Sequence, residues 1–272
     1  MADEEHTEHG YVRYVALGDS QSEGVGDGDD ATGLRGLADR LAEQLAVLNP
    51  GLQYANLAVR GKLAGQVRAE QLAPALAMRP DLVTVIAGVN DLMRPKFDAA
   101  EVAAELEAMF AALTAAGVRV ATVTFPDVGK IAPLARPLRS RVRDLNARVR
   151  VAAARHGVAV ADCAVHPFAT DPRVWSADRL HASPVGHARI AAALAHSIEL
   201  PGSDDAWTIA LPPPPLPSRV QALGTELRWV SGFLGPWLIR RLRGRSSGDG
   251  RFAKRPELLP LLTDMGRSSE AP

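Results

Sequence analysis

The stretch Tyr14-Val15-Ala16-Leu17-Gly18-Asp19-Ser20-Gln21-Ser22-Glu23-Gly24 decides how the chain is read. Val12 to Leu17 is a short apolar run of strand type, and Gly18-Asp19-Ser20 breaks it. Gly24 to Gly28 reads as loop, and a helical pattern begins near Gly33. A serine at the carboxyl end of a first strand stands where open α/β sheets place their ligands. If the backbone turns helical there, its N–H groups point at whatever the hydroxyl holds. An acyl-transfer nucleophile needs that geometry: an exposed Oγ beside donors for a developing oxyanion. The same tripeptide is also ordinary turn chemistry, so the rest of the chain has to decide.

Downstream, the pattern alternates. Leu34, Leu37, Leu41, Leu45 and Leu48 recur at helical spacing and stop at Asn49-Pro50-Gly51. Gln53 to Leu57 reads as a second strand, followed by a helix from about Leu63 to Met78 that Pro80 closes. Leu82-Val83-Thr84-Val85-Ile86 is a continuous apolar run, as expected of a parallel strand buried on both faces. It empties into Gly88-Val89-Asn90-Asp91. A long helix over about 98–116 stops at Gly117, and strands over 118–124 and 158–161 flank another helix from about Leu138 to His156. A last helix spans about Pro184 to Ile198. Five strands alternating with helices predict a doubly wound, five-stranded parallel sheet in flavodoxin-like order, with the first strand near the middle.

The organisation expected is a disordered lead-in over 1–10, an α/β domain over 11–200, a proline-rich linker over 201–217 and a helical, basic C-terminal appendage over 218–272. In the appendage, Val220, Leu223, Leu227, Val230, Phe233 and Leu234 recur at helical spacing, and Leu258 to Leu262 form a short apolar patch. So many apolar positions would make a large exposed patch if they all faced water, so packing against the domain is favoured. The alternative is peripheral membrane contact, with Trp229, Phe233 and Trp237 entering the interface and Arg240, Arg241, Arg243 and Arg245 meeting anionic headgroups.

Composition narrows the function classes. Lys+Arg and Asp+Glu are both 31, so no basic excess argues for nucleic acid. Cys163 is the single cysteine, which excludes an intrachain disulfide. The first ten residues are polar and lack the apolar core of a secretory signal, and no run reaches the length of a membrane span. The expected address is the cytoplasm. His6, His9, His166 and His196 show no metal-ligand spacing, so no metal is expected. Gly24-Val25-Gly26-Asp27-Gly28 is not a dinucleotide fingerprint and no Gly-Lys-Ser/Thr is present, so no cofactor is expected.

Four short stretches fall at strand ends or in the late loop: Ser20, Gly61, Gly88 to Asp91, and Asp178-Arg179-Leu180-His181. In an open parallel sheet they share one crevice. Three residues apart in a turn, the Asp178 carboxylate reaches the His181 Nδ1–H and leaves Nε2 free to take a proton from Ser20. Taken alone, an Asp-x-x-His is most often a solvated pair; beside Ser20 and Asn90 it reads as a catalytic dyad. The Asn90 amide and the N–H groups of Gly61 and Ser20 are the expected oxyanion donors. Asp19, Asp91 and His187 read as structural, and Trp175 as a wall beside Asp178.

Together these stretches resemble the GDSL, or SGNH, hydrolase family over roughly residues 11–200. Gly18-Asp19-Ser20 is similar to its first block, with Gln21 in the leucine position; Gly61, Gly88-Val89-Asn90-Asp91 and Asp178 to His181 correspond to later blocks. The resemblance implies a three-layer α/β/α fold and metal-free hydrolysis of esters or thioesters through an acyl-enzyme, with a small-molecule ester as substrate. Ser20, Asp178 and His181 would form the triad, and Ser20, Gly61 and Asn90 the oxyanion hole. The alternatives are an acyltransferase using the same residues and a non-catalytic binding or scaffold protein on the same fold.

Overall fold

The computed structural model describes residues 10–213, 219–236, 239 and 247–261, with side chains from residue 224 onward in the segment that resumes at 219. Five strands of the sheet run parallel: β1 (Arg13–Gly18), β2 (Gln53–Asn56), β3 (Leu82–Ile86), β4 (Arg119–Val123) and β5 (Ala159–Ala161). They pair in the order β2-β1-β3-β4-β5, the flavodoxin-like order that the alternating pattern predicts. β1 is central. Tyr14 aligns with Tyr54 on one side and with Leu82 on the other, and Tyr14 to Leu17 are fully buried. That position explains why its run shows no polar alternation.

Helices return the chain from each strand to the next. They are α1 (Ser20–Glu23), α2 (Leu37–Leu48), α3 (Ala64–Ala77), α4 (Val89–Leu92), α5 (Ala99–Ala115), α6 (Val128–Ile131), α7 (Arg139–Arg155) and α8 (Pro184–Ser197). α2 and α8 pack together on one face of the sheet, and α5 lies between α3 and α7 on the other. Each buries a stripe: Leu37, Leu41 and Leu45 on α2, and Leu106, Phe110 and Leu113 on α5. Most polar groups inside are paired, with Arg13 Nε and Trp207 Nε1 the exceptions among the described residues. The Tyr14 hydroxyl lies 2.8 Å from Thr84 Oγ1, its ring stacks on Tyr54 at 5.1 Å, and the Tyr54 hydroxyl donates to Asp39.

The sheet has six strands rather than five. β6 (Arg255–Pro260) pairs antiparallel with β2, and it comes from the segment expected to be part of a helical appendage. Pro256 and Pro260 argue against a strand in the sequence, but an edge strand leaves one side unpaired, and there proline is tolerated. β6 also covers the β2 edge, which would otherwise expose a row of unpaired backbone groups. Side chains fasten it: the Arg255 guanidinium donates to the Tyr54 carbonyl at 2.7 Å and lies over the Tyr54 ring, and Lys254 Nζ reaches Asp39 at 2.6 Å.

Between the domain and β6 runs α9 (Arg219–Trp229), continued by a wide turn of helix over Val230–Leu234. Trp229 is buried, whereas Leu227, Val230 and Phe233 are exposed, so packing takes only part of the apolar pattern. The lead-in up to His9, Pro214 to Pro217, Trp237, Arg240, Arg241, Arg243 and Arg245 lie outside the described residues. Among the described residues no helix is long and apolar enough to cross a membrane.

A chain ending at Gly250 loses β6 and the partial burial of Leu258 and Leu261, on the order of 2 kcal/mol. For a chain of this size that should lower the thermal midpoint by about 4–8 °C and produce concentration-dependent light scattering from the opened β2 edge. A midpoint within about 1 °C of the full chain, with no scattering, would show that β6 adds nothing.

Candidate active site

The carboxyl end of β1 is built around Gly18. Its φ is +149°, and a Cβ there would stand 2.2 Å from the Ile86 carbonyl oxygen and 2.5 Å from Ser22 Oγ. The buried Gln71 amide grips the same residue from both sides, accepting from its N–H at 2.8 Å and donating to its carbonyl at 2.9 Å. The chain then turns at once into α1. Asp19 caps it by accepting from the Gln21 N–H, and Ser20 is its first residue. Ser20 is 8 % exposed, and its hydroxyl makes no hydrogen bond among the described residues.

Two further loops close on this turn. Glu23, at the end of α1, accepts from the Arg60 N–H at 2.6 Å and takes the Arg60 guanidinium at 2.6 and 2.9 Å. That pair fixes the loop after β2, so that Gly61 sits at φ +80° with an N–H that no hydrogen bond claims among the described residues. After β3, Gly88 starts α4, and the Asn90 side-chain amide donates to Asp19 Oδ2 at 3.1 Å and to the Lys62 carbonyl at 3.0 Å. Asp91 faces away and accepts from Ala64 N–H at the start of α3, a structural role. Burial pushes the Asp19 carboxyl up to about 7, against the pull of the Gln21 N–H, His181 and the Asn90 amide.

The fourth stretch is the turn before α8. His181 Nδ1 lies 2.6 Å from Asp178 Oδ2, while Asp178 Oδ1 accepts from the Leu180 and His181 N–H groups and the Ser176 hydroxyl. Burial works against ionisation of Asp178, but the His181 ring, the Ser176 hydroxyl and these N–H groups outweigh it and hold the carboxyl well below the usual range. Gln21 ties this turn to the serine. Its amide donates to the Leu180 carbonyl at 2.9 Å and accepts from the Ala182 N–H, the residues on either side of His181. The side chain in the leucine position of the first block is therefore a tether. No hydrogen bond joins Ser20 to His181 themselves; such bonds are often long in the free state and tighten with substrate.

His187 is elsewhere engaged. Buried in α8, its Nδ1 accepts from the Leu37 N–H and its Nε2–H donates to the Val25 carbonyl, both at 3.1 Å. Burial lowers its pKa to about 4. Beside the serine and histidine turns lies a narrow apolar cavity of about 60 Å³. Gln21, Val89 and Leu180, each one residue from Ser20, Asn90 and His181, line it with Phe125, Phe168 and Trp175. The sequence pattern gave no sign that Gln71, Glu23, Arg60 or Trp229 bears on this site, although Trp229 stood out as an apolar position of the appendage. Each acts through polar contacts distant in sequence, which leave no period to read.

Comparison with known proteins bears on the family and the fold. The family model described as GDSL-like Lipase/Acylhydrolase family matches residues 16–189. Among solved structures, an α/β hydrolase enzyme from the metagenome of Lake Arreo is 22% identical, with 70% of this chain and 95% of that chain covered and a TM-score of 0.57. An acetyl xylan esterase from Geobacillus stearothermophilus is 19% identical over 70% of this chain and 95% of that one, with a TM-score of 0.58. A lipase/acylhydrolase from Enterococcus faecalis is 23% identical over 69% and 95%, with a TM-score of 0.55. At these identities the likeness is one of fold. Catalytic mutants of the xylan esterase change a serine, an aspartate or a histidine. No curated protein matches the chain.

The His187 environment gives a signed pH dependence. Its folded pKa, about 4, lies below the ordinary 6.5, so the unfolded chain binds the extra proton between these values. Stability should therefore fall as pH drops from about 6.5 toward 4, by on the order of 3 kcal/mol from this residue. Urea unfolding at pH 5 and pH 7 should show about 2 kcal/mol of that loss in the wild type and a smaller one in His187→Gln. Equal losses in both proteins would refute the assignment of His187 as a buried neutral histidine.

Proposed function

The chain belongs to the GDSL-like Lipase/Acylhydrolase family and is an ester-hydrolysing enzyme, and on that premise we propose that it works as a serine esterase through Ser20, Asp178 and His181. Ser20 Oγ attacks the acyl carbonyl while His181 Nε2 takes its proton. Asp178, anionic at 2.6 Å, keeps the second ring nitrogen protonated and stabilises the imidazolium as it forms. His181 then returns the proton to the leaving alcohol. Water, deprotonated by the same nitrogen, attacks the acyl-enzyme, and its collapse releases the acid and restores the Ser20 hydroxyl.

The N–H groups of Ser20 and Gly61 and the Asn90 amide hold the oxyanion. One Asn90 hydrogen stays on Asp19, which aims the amide; the other, shared with the Lys62 carbonyl in the free protein, turns to the substrate. Because burial holds Asp19 up to about 7, its carboxyl carries only part of a negative charge near the developing anion at neutral pH. The narrow apolar cavity takes the acyl portion, which favours short acyl esters of the kind an acetyl esterase cleaves.

The observation that carries this reading is one of convergence: a serine hydroxyl after β1 and a glycine N–H after β2, both without a hydrogen bond among the described residues, and a carboxylate–imidazole pair on the turn that Gln21 tethers to α1. Ser20→Ala should keep the fold and lower kcat on p-nitrophenyl acetate by roughly 10³-fold or more. Asn90→Ala should lower kcat about 10²-fold with little change in KM. Near wild-type turnover in Ser20→Ala with loss in Ser22→Ala would overturn the nucleophile, and a pure KM effect in Asn90→Ala would move that residue to substrate binding.

A further inference from the structure

The family match ends at residue 189, yet a helix beyond it grips the turn that carries the dyad. Arg179, between Asp178 and Leu180, holds a left-handed φ of +60°. Its guanidinium forks onto Glu226 of α9, with Nη2 2.8 Å from Oε1 and Nη1 2.9 Å from Oε2. It also lies 4.7 Å from the centroid of the Trp229 ring. Trp229 Nε1–H donates to the Asp178 carbonyl at 2.8 Å, and the residue is only 7 % exposed. Two side chains three positions apart on one helix thus take hold of two consecutive turn residues, one by its side chain and the other by its backbone.

We propose that Glu226 and Trp229 are positioning residues, through which α9 sets the angle at which His181 faces Ser20. This inference rests on the assignment of Asp178 and His181 as the base pair. A bidentate Arg–carboxylate pair stacked on an indole fixes direction as well as distance, unlike an ordinary surface ion pair. A non-glycine residue keeps a left-handed backbone only where its surroundings over-determine it, and α9 supplies those surroundings. The Leu180 and His181 N–H groups, which the same turn aims at Asp178 Oδ1, depend on that conformation. Neither Glu226 nor Trp229 touches a reacting atom, so their effect belongs in turnover rather than in substrate affinity.

The test uses the full chain and p-nitrophenyl acetate, with kcat normalised to active sites counted by end-point fluorophosphonate titration. Trp229→Phe keeps the ring over Arg179 and removes the N–H; Glu226→Lys opposes the guanidinium. Each should lower kcat per titrated site about tenfold with KM within about twofold of wild type. The pair Arg179→Glu with Glu226→Lys should recover part of the loss of Glu226→Lys, because it restores the ion pair without the fork or the stacking. Normal kcat per titrated site in both single variants overturns the proposal, as does a lower melting temperature or fewer titratable sites with kcat unchanged. Absence of recovery in the double variant overturns it too. Ser20→Ala and His181→Ala, measured alongside, separate the two levels. If they abolish turnover while the α9 variants keep it, only the positioning role fails; if they keep turnover, the base-pair reading fails.

Discussion

The backbone of Gly18 passes so close to Ile86 and Ser22 that no side chain fits between them, and the arrangement of the site depends on that approach. It lets β1 end flush against β3, so that Asp19 and Ser20 leave the sheet beside the loop that holds Asn90. The Gln71 amide, by taking both backbone groups of Gly18, fixes where the turn begins. From there each contact constrains the next. Asp19 caps α1 and holds Asn90, Glu23 holds Arg60 beside Gly61, and Gln21 holds the turn of His181. Two backbone devices, a missing Cβ and a one-turn helix, thereby gather loops from three strand ends and a distant turn.

Two carboxyl groups near Ser20 are driven in opposite directions, and the difference separates their parts. Asp19 is buried and accepts few hydrogen bonds, so burial dominates and raises it to about 7. Asp178 is only partly buried, and it accepts from a hydroxyl, two N–H groups and the His181 ring, which together hold it ionised. A permanently anionic partner is what an imidazole needs to gain a proton in the course of reaction, and a carboxyl of weak charge is what an oxyanion site tolerates beside it. Environment, not residue type, makes the distinction.

How much of this was legible in the sequence follows from the range of each signal. The buried run Leu82 to Ile86 and the leucine spacing of α2 are local periodicities, and they predict parallel strands, helices and the central place of β1. Three short stretches at strand ends and a fourth in the late turn were legible because an open parallel sheet gathers such loops in one crevice. β6 was not, since Arg-Pro-Glu-Leu-Leu-Pro has no alternation and two prolines, and only its edge position makes it a strand. Nor was the grip of Trp229 on Asp178, a single contact across 51 positions. Gln21 stood out as a departure from the Gly-Asp-Ser-Leu pattern, but its meaning required the Leu180 carbonyl to be in place.

The central claim is that Ser20 is the group that becomes acylated. Treatment of the full chain with a fluorophosphonate, followed by digestion and peptide mass analysis, tests it most directly. The account predicts one adduct per chain, on Ser20, and no adduct elsewhere when Ser20 is replaced by alanine. Complete loss of esterase activity with the adduct on Ser22 or on any other residue, and none on Ser20, would contradict it.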